Sequence, residues 1–271
     1  MKKMLSFKDY KGIFGAAIGD VYGSHYEFLT GPKVRKEEVT IFPDSSYTDD
    51  SVLTAAIADY LVRKEVGEEV DPAPVMASWA KAFPYAGYGS FFTHNWLFGN
   101  NYLPYNSYGN GSAMRISPVP YFAKSLQECI ELSAEVTAIT HNHPEGIKGA
   151  EVVAVCIYMA LHDASKKEIQ DYAESQYDLN LDYEAMMKEL GHGEEICQVT
   201  VPQALWVFFH SDSFEDCLRL AISIRWDADT LAAIACSIAE AYYKEIPEEI
   251  YQSALKRIDS KIIETLEKVK K

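Results

Sequence analysis

Two short acidic segments carry the side chains most able to do chemistry. Residues 48–51 read Thr-Asp-Asp-Ser, and residues 227–230 read Asp-Ala-Asp-Thr. Each precedes an apolar helical run, and because Asp, Ser and Thr are preferred helix caps, either segment alone could be a cap. A cap needs one such residue, whereas each segment supplies at least three oxygen-bearing side chains, two of them carboxylates. Hard cations such as magnesium bind through such oxygens, so both segments are candidate metal ligands.

Glu27 is a further candidate because of the residues that precede it. Gly12, Gly15, Gly19 and Gly23 recur at steps of three or four residues, which places them on one face of a predicted first helix. Such a face lets a second helix approach closely, and close packing alone would explain it. If the helix persists to Glu27, the carboxylate lies at the end of that face. Gathering Glu27 with the four segment aspartates would need about two divalent ions to offset their repulsion. Spacing alone does not show that the segments meet.

The elements around these residues are predicted to be helices. Apolar residues recur at helical spacing within residues 52–61, 231–242 and 255–269, and no comparable run alternates with period two. Residues 152–161 are rich in β-branched side chains but continue a helix-length apolar pattern, so a buried helix is predicted there. We expect an all-α fold of about a dozen helices, in a single domain spanning residues 1–271. Predicted helix starts lie at Thr48, Asp71, Ser165, Ser213 and Asp227.

The longest irregular stretch, residues 84–110, is predicted to line a site. It combines glycines and asparagines with nine aromatic side chains. Loops of this length inside a compact domain usually serve a function. A mobile surface loop is the alternative, but the aromatic density indicates that the stretch packs against the protein. Glycine-rich backbone at 87–89 and 109–111 suits a diphosphate, since amide donors can approach it without a Cβ in the way.

Composition limits the class of partner. A chain of 271 residues with 48% hydrophobic content can bury a full core. Its net charge of −15 argues against a general nucleic-acid-binding surface, which needs clustered Lys and Arg. An anionic substrate would therefore be attracted by bound cations or helix N-termini rather than by the overall field.

The cysteines and the N-terminal segment indicate a cytoplasmic protein without a membrane span. The five cysteines are widely spaced, odd in number and mostly set in apolar helical patterns, which predicts reduced core thiols rather than a disulfide framework or a zinc site. The N-terminal residues run into a mixed segment, with no apolar stretch typical of a signal peptide or membrane helix.

Seven segments, in order along nearly the whole chain, resemble the ADP-ribosylglycohydrolase family. That family includes the dinitrogenase reductase-activating glycohydrolase and the ADP-ribosyl-acceptor hydrolases. A match to any one segment would be weak support for the resemblance, whereas seven matches in the same order along the chain make it specific. The matching segments are Gly19-Asp20 with Glu27, residues 47–51 with Thr54, and residues 86–89, 105–115, 140–146, 201–204 and 227–230.

The resemblance implies a compact all-α fold around a central dinuclear site, with two magnesium ions or possible manganese replacements. It implies hydrolysis of the N- or O-glycosidic bond between ADP-ribose and an acceptor, with a metal-activated water attacking the anomeric carbon. The acceptor would be a protein, nucleic acid or small molecule. The implied metal ligands are Thr48, Asp49, Asp50, Asp227, Asp229 and Thr230. The implied catalytic carboxylates are Glu27, Asp49 and Asp50, among which the base stays open. The implied substrate contacts are Gly87, Tyr88, Gly89, Ser90, Asn110, Gly111, Ser112 and His141.

Three further side chains are weighed beside the motif. His141 and His143 flank a turn before Pro144, and a histidine pair of this kind is more often structural than catalytic. The resemblance favours His141 over His143. Arg115 begins an apolar helical segment, and we expect it to brace a buried carboxylate rather than to bind phosphate.

The chain departs from its relatives immediately before the second acidic segment. Arg225 and Trp226 stand where the family usually has two glycines, and Cys236 and Glu240 where small residues are commoner. Glycine is favoured where backbone approaches a ligand or takes a positive φ, so the change should reshape the pocket wall or tilt Asp227. Our hypothesis is that Arg225 adds a cation near the site and Trp226 a stacking face, which narrows the substrate range.

Two other functions remain open from the sequence. The chain could be a catalytically inactive member that acts as a binding or immunity protein against an ADP-ribosyltransferase. A helical metal-dependent phosphohydrolase also uses paired Asp clusters, but its usual His-Asp pairing is absent here, since neither Asp49 nor Asp227 follows a histidine.

Overall fold

The chain folds into helices joined by loops and one short strand pair. The computed structural model describes residues 2–29, 34–99, 102–187, 195–224 and 226–271. Helix accounts for 62% and strand for 3%, which confirms the all-α prediction. The α-helices are α1 Gly15–Gly23, α2 Asp49–Glu65, α3 Pro72–Ala82, α4 Gly111–Met114, α5 Val119–Phe122, α6 Leu126–Thr137, α7 Pro144–Leu161, α8 Lys166–Gln176, α9 Tyr183–Met186, α10 Cys197–Phe209, α11 Phe214–Ile224, α12 Ala228–Tyr243, α13 Glu248–Leu255 and α14 Ser260–Leu266.

The strands β1 Met4–Ser6 and β2 Glu245–Pro247 form an antiparallel pair in which Leu5 faces Ile246. Three residues are too few to show an alternating pattern, so the sequence did not predict this pair. It ties the N-terminal segment to the end of α12.

Helices α1 and α12 lie at the centre of the fold and approach each other closely. A Cβ added to Gly15, Gly19 or Gly23 would lie 2.4 Å from the backbone of α12. These glycines recur every four residues and so share one face of α1. The tightly packed face predicted from the sequence is therefore present, although Gly12 lies before the helix at a φ of +71°.

The N-terminus of α1 is capped by a side chain of α12. The Phe14 and Gly15 amides donate to the Glu240 carboxylate at 3.0 and 2.7 Å, and the Tyr10 hydroxyl donates to it at 2.8 Å. Buried amides at a helix start need acceptors, and Phe14 in the cap position makes no side-chain capping bond. Glu240, one of the departures noted in the sequence, thus has a structural role.

All five predicted helix starts are present, since α2, α3, α8, α11 and α12 begin directly after Thr48, Asp71, Ser165, Ser213 and Asp227. Asp71 accepts from the Ala73 amide, and Ser165 forms a capping box with Glu168. Residues 152–161 lie within α7, as predicted. Ser213 accepts from the amide of Asp216 in the first turn of α11.

The loop that spans residues 84–110 packs in part and is exposed in part. A short π-helix, Phe92–Leu97, buries Phe92 and Trp96. Tyr85, in contrast, is 99% exposed, so the expectation that these aromatic side chains pack against the protein holds for only some of them.

All five cysteines are buried free thiols, as predicted. None of the helices in the described ranges combines the length and apolar character that a bilayer crossing requires.

Candidate metal centre

The two acidic segments lie side by side, although 177 residues separate Asp50 from Asp227 in sequence. The Thr48 and Thr230 hydroxyls, one from each segment, each lie 3.2 Å from Asp50 Oδ2. Two groups of carboxylates have ligand atoms within 4.8 Å of one another: Asp20, Asp50 and Asp229, and Glu27, Asp227 and Asp229. The arrangement therefore offers hard oxygen ligands from both segments to the same space.

The close packing of α1 on α12 explains this convergence. Gly23 at the end of α1 lies against Asp229 in the first turn of α12. A Cβ added to Gly23 would lie only 2.4 Å from the Asp229 Cα. The helix ends before Glu27, so the condition under which Glu27 would lie at the end of the glycine face is not met. A 3-10 turn, Ser24–Tyr26, follows α1, and Glu27 lies just beyond it in extended backbone.

Asp20 is a site residue that sequence reasoning did not single out. Its buried carboxylate accepts from the Thr48 amide at 2.9 Å and from the Ser51 amide at 3.0 Å. The Thr48 hydroxyl donates to it at 2.8 Å, and the Ser51 hydroxyl donates as well. Asp20 thus caps α2 from another helix, whereas Thr48 makes no capping bond of its own. The available signal was a lone acidic residue among the small and apolar residues of α1.

Asp50 and Asp227 are held in different ways. Asp50 is only 2% exposed, and its Oδ1 atom is buried without a hydrogen-bond partner. A buried, unpaired carboxylate oxygen is costly, and a bound cation would satisfy it. Asp227 Oδ2 accepts from the Asn110 side-chain amide at 2.5 Å. Asn110 thereby connects the second acidic segment to the glycine-rich loop.

Burial and mutual repulsion make the carboxylates hard to ionise together. Burial, followed by the charges of neighbouring carboxylates, raises the pKa of Asp49 to about 8 and that of Glu27 to about 7. The same causes raise the pKa values of Asp50 and Asp229 well above the usual range. Burial also raises the pKa of Asp20 to about 6, against the opposing effect of its hydrogen bonds. Divalent cations would remove this penalty, so the residues present fit a metal centre.

A cavity of about 360 Å³ opens above these carboxylates. The predicted site residues that line it come from six separate segments of the chain. They are Glu27, Asp49, Asp50, Gly87, Gly89, Ser90, Asn110, Gly111, His141, Asp227, Asp229 and Thr230. The structure therefore brings most of the predicted site together. Gly87 has a φ of +96°, a conformation that favours glycine.

Four predicted site residues lie beside the cavity rather than on its wall. The Thr48 hydroxyl points toward the carboxylates of Asp20 and Asp50. Tyr88 donates its hydroxyl to the Phe83 carbonyl at 3.0 Å, and Ser112 donates to the Gly146 carbonyl at 2.8 Å. Trp226 packs edge to face against Phe28, with ring centroids 5.2 Å apart. Arg225 lies outside the described residues.

The cavity wall also includes a guanidinium and an imidazole. Arg115 donates to the Thr140 hydroxyl at 2.7 Å, and that hydroxyl lies 2.6 Å from Nδ1 of His141. This differs from our expectation that Arg115 braces a buried carboxylate, since the acceptor of this hydrogen bond is a hydroxyl. Burial lowers the pKa of His141 well below its usual range. His143 instead caps α7 by accepting from the Glu145 amide.

The cavity wall also contains residues that sequence reasoning left out. Tyr105 and Ser107 lie within a matching segment but were not assigned roles. Phe28 and Glu195 carried no signal in their types or spacing. Leu53, Phe91, Phe92 and Met114 were also left out, whereas Gly109 and Arg115, which complete the wall, were considered from the sequence.

Together the fold and the site define a class: a mostly helical protein with a candidate metal centre at the base of a glycine-lined cavity. Comparison with known families narrows this class. The family described as ADP-ribosylglycohydrolase matches residues 9–270, and the chain belongs to that family. This confirms the family and the enzyme class predicted from the sequence.

Individual relatives are distant but span most of the chain. The protein is 27% identical to the ADP-ribosylhydrolase ARH3 of Bos taurus, over 92% of this chain and 89% of the relative. It is 26% identical to the ADP-ribosylarginine hydrolase Tri1 of Pseudomonas putida (strain GB-1), over 85% and 69%. It is 24% identical to the ADP-ribosyl-[dinitrogen reductase] glycohydrolase of Rhodospirillum rubrum, over 92% and 89%.

A solved structure described as an ADP-ribosylglycohydrolase-related protein complex shares the fold. Its TM-score is 0.70 at 24% identity, over 94% of both chains.

Proposed function

We propose that the protein is a magnesium-dependent hydrolase that cleaves the glycosidic bond between ADP-ribose and an acceptor. The observation that carries the proposal is the convergence of the two acidic segments on one cavity, with Asp50 Oδ1 buried and unpaired. The names of the relatives support the reaction class. We further propose that the whole chain forms a single domain that acts in the cytoplasm.

The residues that would hold two magnesium ions are Thr48, Asp49, Asp50, Asp227, Asp229 and Thr230, with Glu27 beside them. Manganese has similar ligand preferences and could replace magnesium. When bound, such ions lower the pKa of a coordinated water and can fix ribose hydroxyls.

The carboxylates of the chain supply the remaining chemistry at this end of the cavity. Hydrolysis of a glycoside needs a base for the attacking water and negative charge beside an oxocarbenium-like carbon. Glu27, Asp49 and Asp50 all line the cavity, but Asp50 Oδ2 lies 3.2 Å from each of the Thr48 and Thr230 hydroxyls. We therefore assign the base to Glu27 or Asp49, and the positioning of the acidic cluster to Asp50.

The glycine-lined part of the cavity wall suits the diphosphate. Gly87, Gly89 and Gly111 expose backbone to the cavity, so amide donors can approach an anion without a Cβ in the way. Arg115 adds a buried positive charge to this wall, and the Asn110 side chain donates to Asp227. The anionic part of the substrate would therefore lie against the glycine backbone and Arg115.

A panel assay tests the proposal. Free ADP-ribose is measured after incubation with several linkages, with and without magnesium, for the wild type and Asp49→Asn. We expect magnesium-dependent release from at least one linkage and a loss of about 100-fold or more in the variant, since positioned acid-base groups contribute factors of this size. Binding of ADP-ribosylated ligands with no release from any linkage would instead identify a binding or immunity protein.

A further inference from the structure

Arg115 is a buried cation whose hydrogen bond goes to a neutral hydroxyl. The side chain is only 1% exposed, at the end of α4, and its guanidinium donates to the Thr140 hydroxyl at 2.7 Å. Burial lowers the pKa of Arg115 to about 10, so the guanidinium is still charged at neutral pH. Burying a charge costs free energy, and one bond to a neutral hydroxyl offsets little of that cost. Stability alone therefore does not explain this contact.

The Thr140 hydroxyl connects Arg115 to the ring of His141, whose Nδ1 lies 2.6 Å from the hydroxyl oxygen. A guanidinium can only donate, so the hydroxyl accepts from Arg115 and keeps its own proton to donate. Among the described residues, Nδ1 is the one acceptor that this proton reaches. A neutral imidazole that accepts at Nδ1 has its proton on Nε2. The order of donors therefore specifies one of the two neutral forms of His141.

The backbone that carries Thr140 is fixed by the loop of residues 84–110. The Trp96 indole N–H donates to the Ile139 carbonyl at 3.1 Å, and the Tyr105 amide donates to the Thr140 carbonyl at 3.3 Å. The same loop lines the cavity through Tyr105. Movement of the hydroxyl relative to the cavity wall is thus restricted.

The Nε2 atom of His141 lies at the glycine-lined wall. A Cβ added to Gly109 or to Gly111 would lie 3.5 Å from this atom, and the absence of both Cβ atoms leaves it open to a ligand in the cavity. The side chain is otherwise buried, at 5% exposure. Burial, followed by the charge of Arg115, lowers the pKa of His141 well below its usual range, so the ring is neutral at physiological pH.

We propose that Arg115 and Thr140 are positioning residues that hold His141 with its proton on Nε2, so that the Nε2–H group binds an oxygen of the diphosphate; this rests on the proposed function. With the proton on Nδ1, the ring would present a lone pair to the anion and repel it. Arg115 therefore contributes the direction of a hydrogen bond as well as its charge.

NMR spectra that correlate the imidazole protons with the ring nitrogens distinguish the two neutral forms. The signals absent from His141→Gln identify His141. We expect the Nε2–H form in the wild type and in Thr140→Ser, and a mixture of both forms in Thr140→Val and Arg115→Met, which remove the donor to Nδ1 or release it. Thr137→Val is the matched control, because the Thr137 hydroxyl is buried without a hydrogen-bond partner among the described residues. The Nδ1–H form in the wild type would overturn the inference.

Calorimetric titration with free ADP-ribose and magnesium measures the effect on binding. Thr140→Val should raise the Kd about tenfold, since one hydrogen bond to a charged group is weakened, whereas Thr140→Ser and Thr137→Val should stay within about twofold of the wild type. His141→Gln keeps an N–H group at the place of Nε2 and should raise the Kd about threefold. Adding Thr140→Val to that variant should then have no further effect, because the amide does not depend on the hydroxyl.

Kinetics separate this role from a general structural one. In Thr140→Val the KM should rise by about the same factor as the Kd, with kcat nearly unchanged, because a diphosphate contact is equal in the ground state and the transition state. An equal rise in Kd from Thr140→Val with and without His141→Gln would overturn the inference. If ADP-ribose binds as expected and the Nε2–H form is present, but no linkage is cleaved, the proposed hydrolysis is wrong and this inference stands.

Discussion

At the level of single residues, Asp20 has the largest effect on how the site is built. Its carboxylate accepts the amides of Thr48 and Ser51 that would otherwise lack acceptors at the start of α2. Thr48, in the cap position, therefore directs its hydroxyl to Asp20 and Asp50 instead of to its own helix. One buried side chain thus satisfies a helix terminus and orients a candidate ligand.

Asp20→Asn should weaken magnesium binding more than it weakens the fold. The side-chain amide of this variant would bring N–H donors toward the Thr48 and Ser51 groups, which are themselves donors. We therefore expect a loss of about 2 kcal/mol in the free energy of unfolding. We also expect a rise of about tenfold in the magnesium concentration that gives half-maximal thermal stabilisation. Asp71→Asn is the matched control, because Asp71 caps α3 outside the cavity wall. Equal magnesium responses in the two variants would show that Asp20 has only a general structural role.

Trp226 illustrates what residue types alone could and could not reveal. It stands where the family usually has glycine, and a positive φ was one of two reasons considered for a glycine there. The structure keeps this φ at 59° with the larger residue and places the ring against Phe28. Sequence reasoning could not predict that contact, since Phe28 is distant in the chain and has no distinctive spacing.

At the level of elements, the glycine face of α1 determines where the acidic residues meet. Gly15, Gly19 and Gly23 allow α12 to approach so closely that the ends of both helices contribute to one site. The helical periodicity and the glycine spacing predicted both elements. The end of α1 was harder to predict, because a 3-10 turn separates Glu27 from the helix.

Gly19→Ala should destabilise the protein by about 3 kcal/mol and abolish magnesium stabilisation. The new Cβ would lie 2.4 Å from the Ala232 backbone, where no flexible side chain can yield. Helix propensity alone predicts the opposite sign, because alanine is favoured over glycine by about 1 kcal/mol. Denaturant unfolding measures the change.

The control is Gly67→Ala, which has open space around it and a φ of +83°. It should cost only about 1 kcal/mol, from backbone strain. A Gly19→Ala variant as stable as the wild type would contradict the close packing of α1 on α12.

At the level of the whole molecule, the sequence predicted the helical class, the acidic segments of the candidate site and the cavity loop, because each depends on local pattern or on the motifs of the family. It could not predict that Asp20, Phe28 and Glu195 lie at the site, since this depends on which distant segments come together. Part of the net charge of −15 lies in the carboxylates gathered at the site, which repel one another.

The stability of the metal-free protein should therefore fall as the pH rises from about 4 to about 8. Carboxyl groups in an unfolded chain titrate near pH 4, whereas the folded protein raises the pKa of Glu27 to about 7 and of Asp49 to about 8. The folded state binds more protons in this range, so the free energy of unfolding decreases with pH. Melting curves in EDTA from pH 5 to pH 8 measure this, and the increment from added magnesium should grow over the same range. If the rise in melting temperature on adding magnesium became smaller as the pH increased, the assignment of the metal centre to these carboxylates would be contradicted.

The most direct test of the central claim is the rate at which metal-stripped protein releases ADP-ribose before and after magnesium is added back. We predict negligible release without metal, release restored by magnesium in the wild type, and no restoration in Asp50→Asn. Release that proceeds at the same rate in EDTA, or restoration in the variant equal to that of the wild type, would contradict the account.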